Sequence, residues 1–252
     1  MRSLLPAGIL PLALVADDHR LAGEAVIVRH EGKGKDPGRQ EGPHPHSIIP
    51  APSTPGAPPR VFAADLGCDA IFEYRLESGT LVAGDPRSVG SNPGAGPRHL
   101  VFHPDGRRLY AINELDNTVA VHELDAATGW LAPRPPRQVV TTLPEGFKGV
   151  SYTADVKLTP DGRFLYGTNR GHDSIAVFRV GDDGLLAPVE IVPSRGKGPQ
   201  TIAITPDGGL LLCGNMPGGG IAVFRIDRET GRLEPVGEPV ACASPSCIAI
   251  VP

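Results

Sequence analysis

Short apolar runs, each closed by a turn, recur along this chain at a fixed long interval. Three segments align without a gap: His99–Asn113 (HLVFHPDGRRLYAIN), Asp155–Asn169 (DVKLTPDGRFLYGTN) and Thr201–Asn215 (TIAITPDGGLLLCGN). Each holds an apolar run, a Pro-Asp-Gly turn, a second apolar run and a closing Asn. Proline presets φ near −65° and glycine supplies the positive φ of a tight reversal, so each segment predicts a β-hairpin. A third apolar run follows each hairpin, at Thr118–His122, Ser174–Phe178 and Gly220–Phe224. Turn signals come next, at Thr128-Gly129, Asp183-Gly184 and Thr230-Gly231, and a leucine then opens a weaker fourth strand.

The turn prolines Pro104, Pro160, Pro206 and Pro252 lie 56, 46 and 46 residues apart. Four strands per unit at about 40–50 residues is the period of β-propeller blades, and sandwiches and barrels lack such long-range self-similarity. A more divergent copy precedes these units. Arg60–Asp65 stands for its second strand and Ala70–Tyr74 for its third, and the proline-rich stretch Pro50–Pro59 expands its first hairpin. The expected fold is therefore all-β, a propeller of four-stranded antiparallel blades with about five blades. A single domain spans 1–252, with a partial blade at 1–45, blades at 46–98, 99–153, 154–199 and 200–245, and a terminal first strand at 246–252. The apolar N-terminus, Met1–Ala16, loosely imitates a secretory signal. The match of Ala13–Asp17 and Arg20-Leu21 to Ala222–Asp227 and Arg232-Leu233 favours a repeat instead.

Composition narrows the partners. Hydrophobic residues make up 40% and charged residues 21% of the 252, ordinary for a globular protein, while 32 Gly and 28 Pro fit a turn-rich all-β chain. A net charge of −4 and the lack of a basic stripe with interleaved aromatics point away from nucleic acid. No apolar run approaches the ~18 residues of a membrane helix, so no membrane partner is expected. Cys68, Cys213, Cys242 and Cys247 form no CxxC pair, which argues against a zinc site and suits reduced thiols in the cytoplasm. His44 and His46 share one strand face without a clear third ligand, so no metal is expected there.

In a repeat fold, equivalent positions project toward a common axis, so polar departures from the repeat mark the site. The start of the first strand offers His44, His46, Arg98, His99, Asp155 and Gln200. The end of the second strand offers Asp65, Asn113, Glu114, Asn169, Arg170, His172 and Asn215. The recurrence of Asn113, Asn169 and Asn215 in one slot reads as turn capping, and Asp69, Asn117 and Asp173 read as turn formers.

Several of these stretches resemble the seven-bladed propeller lactonases of the 6-phosphogluconolactonase type, related in fold to fungal carboxy-muconate cyclases. They are Gly96–His99, Pro104–Gly106, Asn113–Leu115, Asn169–Phe178, Arg39–Ser47 and Asp65–Gly67. The resemblance runs from about Leu14 to Pro252. It implies a sugar-lactone hydrolase in carbohydrate metabolism, on the pentose phosphate route, in a chain shortened at its N-terminus. The substrate would be a small-molecule lactone and no cofactor is needed. A muconolactone-type cycloisomerase and a non-catalytic binding module are the alternatives. Lactone hydrolysis needs a base, an oxyanion stabiliser and a grip on the substrate. We expect His99, Asp155 and Arg170 to be catalytic, with Arg98, His46, Glu114, His172 and Gln200 binding substrate. The resemblance also places Pro-Arg where this chain has Pro199-Gln200, which weakens any charge-based grip at that position.

Overall fold

The computed structural model describes residues 9–15, 21–53, 58–78 and 80–251. Strands β1 (Ile9–Val15) and β2 (Leu21–Arg29) form a two-stranded antiparallel sheet. Four antiparallel sheets follow, each of four strands in chain order. The first holds β3 (Pro45–Pro50), β4 (Arg60–Asp65), β5 (Ala70–Glu77) and β6 (Thr80–Gly90). The second holds β7 (Pro97–Phe102), β8 (Arg108–Asn113), β9 (Thr118–Glu123) and β10 (Gln138–Thr141). The third holds β11 (Tyr152–Leu158), β12 (Phe164–Arg170), β13 (Ser174–Val180) and β14 (Leu186–Pro193). The fourth holds β15 (Pro199–Ile204), β16 (Leu210–Asn215), β17 (Gly220–Ile226) and β18 (Leu233–Pro235). The first strands of successive sheets contact one another, β3 with β7, β7 with β11 and β11 with β15. That is the arrangement of blades fanned about an axis, and the chain is a β-propeller.

The hydrophobic faces meet between neighbouring sheets. Tyr166, Phe164 and Val177 of the third sheet pack with Leu211, Cys213 and Phe224 of the fourth. Tyr110 and Val121 of the second pack with Leu165 and Phe178 of the third. Polar ties reinforce this packing at corresponding places. The buried Tyr110 hydroxyl donates to the Gly184 carbonyl at 3.0 Å, and that of Tyr166 to the Gly231 carbonyl at 2.9 Å. In the second, third and fourth sheets, a leucine at or before the fourth strand donates its N–H to a carboxylate or amide of the preceding blade. Leu131 N–H donates to Glu73, Leu186 N–H to Gln138 and Leu233 N–H to Glu190. A buried backbone donor left unpaired would be costly, so these ties set the spacing of the blades.

One detail differs from the sequence expectation. Residues 246–251 form no strand, although a terminal first strand was expected at 246–252. A strand needs a ladder partner, and this segment has none among the described residues. At the other end β1 and β2 sit where third and fourth strands were expected, while Ala16, Asp17 and Arg20 of that reading lie outside the described residues.

The recurring asparagines and αL residues serve the turns, as expected. Asn169 is fully buried, donating to the Thr142 carbonyl at 2.9 Å and to Ser174 Oγ at 3.0 Å. Asp69, Asn117 and Asp173 adopt φ of 50°, 55° and 55°. Asp173 Oδ1 accepts the Gly198 N–H at 2.8 Å, and Asp69 accepts those of Gly94 and Gly96, so each carboxylate holds the approach to the next blade.

Glu73 is fully buried, and burial pushes its carboxyl up to about 7 against the Leu131 N–H bond and the Arg60 charge. Its folded value lies above its unfolded value near 4.5, so the folded state holds the extra proton between these limits. Stability is therefore lost as pH rises from about 4.5 to about 7. Replacing Glu73 by Gln keeps an acceptor for Leu131 N–H and removes the charge. We expect Glu73→Gln to gain on the order of 2 kcal/mol at pH 7.5 and to flatten this slope in urea unfolding at several pH values. An unchanged slope would refute the assignment.

Candidate active site

Every first strand carries a β-bulge at the same place. The register shifts between Pro45 and Ser47, between Pro97 and His99, between Thr153 and Val156, and between Pro199 and Thr201. The extra residues are His46, Arg98, Ala154 with Asp155, and Gln200. A bulge removes a residue from the ladder and re-aims its side chain. Pro97 pairs with Asn113, Tyr152 with Arg170 and Pro199 with Asn215, so the first-strand start and second-strand end lie at one mouth. Gly96 and Gly198, both at φ 67°, lead into two of these bulges. A Cβ at Gly198 would meet the Met216 carbonyl oxygen at 2.0 Å, so that close approach requires glycine.

Glu114 is the hub of the resulting cluster. It is buried, and Oε2 accepts from Arg98 Nε at 2.8 Å and lies 3.0 Å from Arg170 Nη2. Oε1 accepts from Arg39 Nη2. Burial pushes this carboxyl up, but the bond from Arg39 and the charges of Arg170 and Arg98 outweigh it and hold it below its usual range. A carboxylate held by three arginines in this way organises them and, with its proton affinity lowered, is a poor base.

Arg98 connects this hub to a second carboxylate. Its Nη1 donates to the Ala154 carbonyl at 2.6 Å and to His99 Nε2 at 3.0 Å. A guanidinium only donates, so Nε2 accepts, and His99 Nδ1 carries the proton given to Asp155 Oδ1 at 2.8 Å. Both ring nitrogens of His99 are engaged. Asp155 is buried; Oδ1 also accepts from Val156 N–H at 2.8 Å and Lys157 Nζ at 2.6 Å, and Oδ2 accepts from Ile202 N–H at 2.9 Å and Thr201 Oγ1 at 3.3 Å. Burial raises its pKa, but the His99 bond and the Lys157 charge prevail, leaving it well below the usual carboxylate range. The second, third and fourth blades thus meet through this one side chain.

His46 stands apart. It makes no hydrogen bond to any described residue, and it is exposed to solvent, with packing shielding its ring in part. Burial first, then the Arg98 charge, lowers its pKa to about 4, so it stays neutral over most of the pH range. Arg170 donates from Nη2 to the Thr153 carbonyl at 2.9 Å and from Nη1 to Gln200 Oε1 at 3.4 Å. His172 lies beyond this cluster, bonded to Ser174 Oγ at 2.7 Å with its ring edge-on to Phe147. His44 pairs with Glu41, and its N–H donates to Asp65, itself bound to the buried His30.

The structure thus joins Arg98, His99, Glu114, Asp155, Arg170 and Gln200, places His46 within electrostatic reach of Arg98 and Glu114, and leaves His172 outside. It adds Arg39, Lys157 and Thr201, and Tyr152, which lies under the Arg39 guanidinium 5.3 Å away. Arg39 was legible only as part of a longer motif. Lys157 had a signal, because equivalent positions hold Ile49, Val101 and Ala203. Four cations, Arg39, Arg98, Lys157 and Arg170, face two carboxylates, so the mouth favours anions. Among the described residues, no three His, Cys, Asp or Glu side chains converge as a metal site. A separate cavity of about 430 Å³, lined by Arg60, Arg107 and Trp130 among others, lies at the opposite ends of the hairpins and shares no residue with this cluster.

Glu114→Gln would leave three arginines around a neutral amide. We expect it to destabilise the protein by about 3 kcal/mol at pH 7, as for a broken buried ion pair. Because Glu114 is held below its ordinary value, its stabilisation is complete above about pH 4.5 and is lost as acid titrates through the lowered value. Urea unfolding from pH 3 to 7 should show the variant losing less on acidification than the parent, and parallel curves would count against the hub.

The family model "Lactonase, 7-bladed beta-propeller" matches residues 7–250. The chain is 38% identical over 238 residues to a 6-phosphogluconolactonase of Bacillus subtilis, covering 93% of this chain and 64% of that one. Among solved structures, a periplasmic gluconolactonase of Pseudomonas aeruginosa superposes with a TM-score of 0.83 at 32% identity, covering 96% of this chain and 66% of its own. A Lactobacillus plantarum protein superposes with a TM-score of 0.84 at 28% identity, over 94% of this chain and 66% of its own. The chain therefore spans slightly under two thirds of the length of these relatives. Bladed sheets, a shared polar mouth and a match along nearly the whole sequence agree, and the chain belongs to the seven-bladed β-propeller lactonase family.

Proposed function

We propose that this chain is a sugar-lactone hydrolase of the 6-phosphogluconolactonase type. The observation that carries this reading is a neutral, unpartnered imidazole, His46, beside arginines that Glu114 fixes in place. The curated Bacillus subtilis relative bears that activity as its name. Sugar-lactone chemistry also appears in the name of the Pseudomonas aeruginosa structure.

In this reading, the lactone carbonyl oxygen lies against Arg98. Its Nη2 keeps both N–H groups free of described partners, while Nε and Nη1 are held by Glu114, His99 and the Ala154 carbonyl. Donors fixed in advance stabilise a developing oxyanion without reorganising. His46 removes a proton from water as the water oxygen attacks the carbonyl carbon. The tetrahedral intermediate then collapses, the ring C–O bond breaks, and the imidazolium returns its proton to the leaving alkoxide. The products are a hydroxy acid and regenerated His46. His99 and Asp155 orient Arg98, because both nitrogens of His99 are already committed. We therefore assign the base to His46 in preference to His99, move Arg170 from the catalytic set to the substrate contacts, and keep Gln200 among those contacts. Four free thiols suit the reducing cytoplasm, which we include in the proposal.

The test is lactone loss above the spontaneous rate, followed by pH-stat titration of released acid. We expect His46→Ala to lower kcat by roughly 100-fold or more. In the parent, kcat/KM should rise with pH through about 4 and then level off, because protonated His46 cannot act as base. His99→Ala costing more kcat than His46→Ala would transfer the role of base to His99. No acceleration by the parent would end the hydrolase reading in favour of a binding module.

A further inference from the structure

Lys157 helps keep Asp155 ionised, but that carboxylate does not need it to fill its hydrogen bonds. Asp155 has room for about four hydrogen bonds. His99, Val156 N–H, Ile202 N–H and Thr201 already supply them. The ammonium of Lys157 is a fifth donor on that carboxylate, at 2.6 Å from Oδ1. A second N–H reaches the Val156 carbonyl at 3.3 Å, and the third proton has no partner among the described residues. The side chain is 40% exposed, whereas the Asp155 side chain beneath it is 2% exposed. The charge is thus anchored from behind and open in front.

Its position is also unusual within the repeat. The matching residues of the other blades are Ile49, Val101 and Ala203, and Ile49 and Val101 pack against hydrophobic clusters. A lysine there is a departure that packing does not require. Two residues along β11 from Asp155, it lies roughly 6–7 Å further from the mouth. Because Lys157 Nζ and His99 Nδ1 bind the same oxygen, at 2.6 and 2.8 Å, they are at most about 5.4 Å apart. One end of a substrate can therefore touch Arg98 while another part reaches Lys157.

We propose that Lys157 is a specificity-determining residue that holds an anionic substituent of the lactone, a phosphate monoester or a carboxylate, several bonds from the carbonyl under attack. The proposal rests on the lactonase reading and names the substrate class for it. A compact, strongly hydrated ammonium on a flexible stem acts as a point charge for phosphate. The positive charge of Arg98, bonded to the far side of the His99 ring, favours the same class of ligand.

The test compares gluconolactone, its 6-phosphate and a glucarolactone, which carries a carboxylate in place of the phosphate. The parent, Lys157→Met and Lys157→Arg are assayed with each, and urea unfolding checks that the variants are folded. We expect Lys157→Met to reduce the preference for the anionic lactones over the neutral one at least tenfold, through KM. Lys157→Arg should restore most of that preference. Loss on the phosphate alone, or on the carboxylate alone, would identify which anion the residue serves. An equal loss on all three lactones would overturn the proposal and leave Lys157 as a prop for Asp155. Titration with inorganic phosphate followed by calorimetry gives a readout independent of turnover. The parent should bind it at least tenfold more tightly than Lys157→Met, and equal affinities would overturn the proposal even if none of the lactones is hydrolysed. Absence of turnover with phosphate binding intact would remove the hydrolase reading alone.

Discussion

The site depends on one extra residue in the first strand of each four-stranded sheet. In an uninterrupted antiparallel ladder, every first-strand residue has an opposite number and side chains alternate strictly between faces. The bulges at His46, Arg98, Ala154 and Gln200 break that alternation at one height in all four sheets. They release the side chains toward the mouth while the flanking residues keep the register. Arg98 can then reach Glu114 of its own hairpin and Ala154 of the next blade. Without the extra residue, Arg98 and His99 would each be displaced to the opposite face, and Glu114 would lose a partner.

What the bulges bring together is held by charge. Glu114 and Asp155 are buried carboxylates, and burial alone would favour their protonated forms. Each remains ionised because donors surround it, three arginines in one case and His99, Lys157 and two backbone N–H groups in the other. This has two consequences. The guanidinium of Arg98 is fixed on three of its edges, so its remaining N–H groups are aimed in advance, which is where such a site gains most of its power to stabilise an oxyanion. The site is also part of the blade contacts, because Asp155 touches the blade before it and the blade after it. Loosening the packing of Tyr110 or Tyr166 between sheets would shift the catalytic groups as well as weaken the fold.

Much of this architecture was legible in the repeat. The Pro-Asp-Gly turns gave the hairpins, and the common Asn slot gave the ends of the second strands. The idea that equivalent positions face one axis brought together Arg98, His99, Glu114, Asp155 and Arg170, which lie up to 72 positions apart. Other features follow from register and side-chain reach, which a repeat pattern does not encode. The bulges have no residue signature of their own, since His, Arg, Ala and Gln occupy them. Arg39 enters from a loop before the first blade, where no equivalent position exists for comparison. Glu73 interrupts the apolar third strand Ala70–Tyr74 with a charge, yet it is fully buried and meets the Leu131 N–H of the next blade. The segment from Cys247 has the apolar pattern of a first strand but has no strand partner among the described residues.

The choice between His99 and His46 shows most clearly where pattern gives way to geometry. In sequence, His99 is the stronger candidate, because it adjoins Arg98 and departs from the Thr201 position of the repeat. His46 sits beside a proline-rich stretch and reads as a substrate contact, not as the base. The hydrogen bonds reverse this ranking. A histidine acts as a base only through a nitrogen whose lone pair is free, and the guanidinium of Arg98 already occupies the lone pair of His99 Nε2. Burial first, and the positive charge of Arg98 next, disfavour protonation of His46. In the proposed reaction Arg98 would therefore serve twice. It would stabilise the anionic intermediate, and its charge, added to burial, would help keep the neighbouring imidazole unprotonated while that intermediate forms.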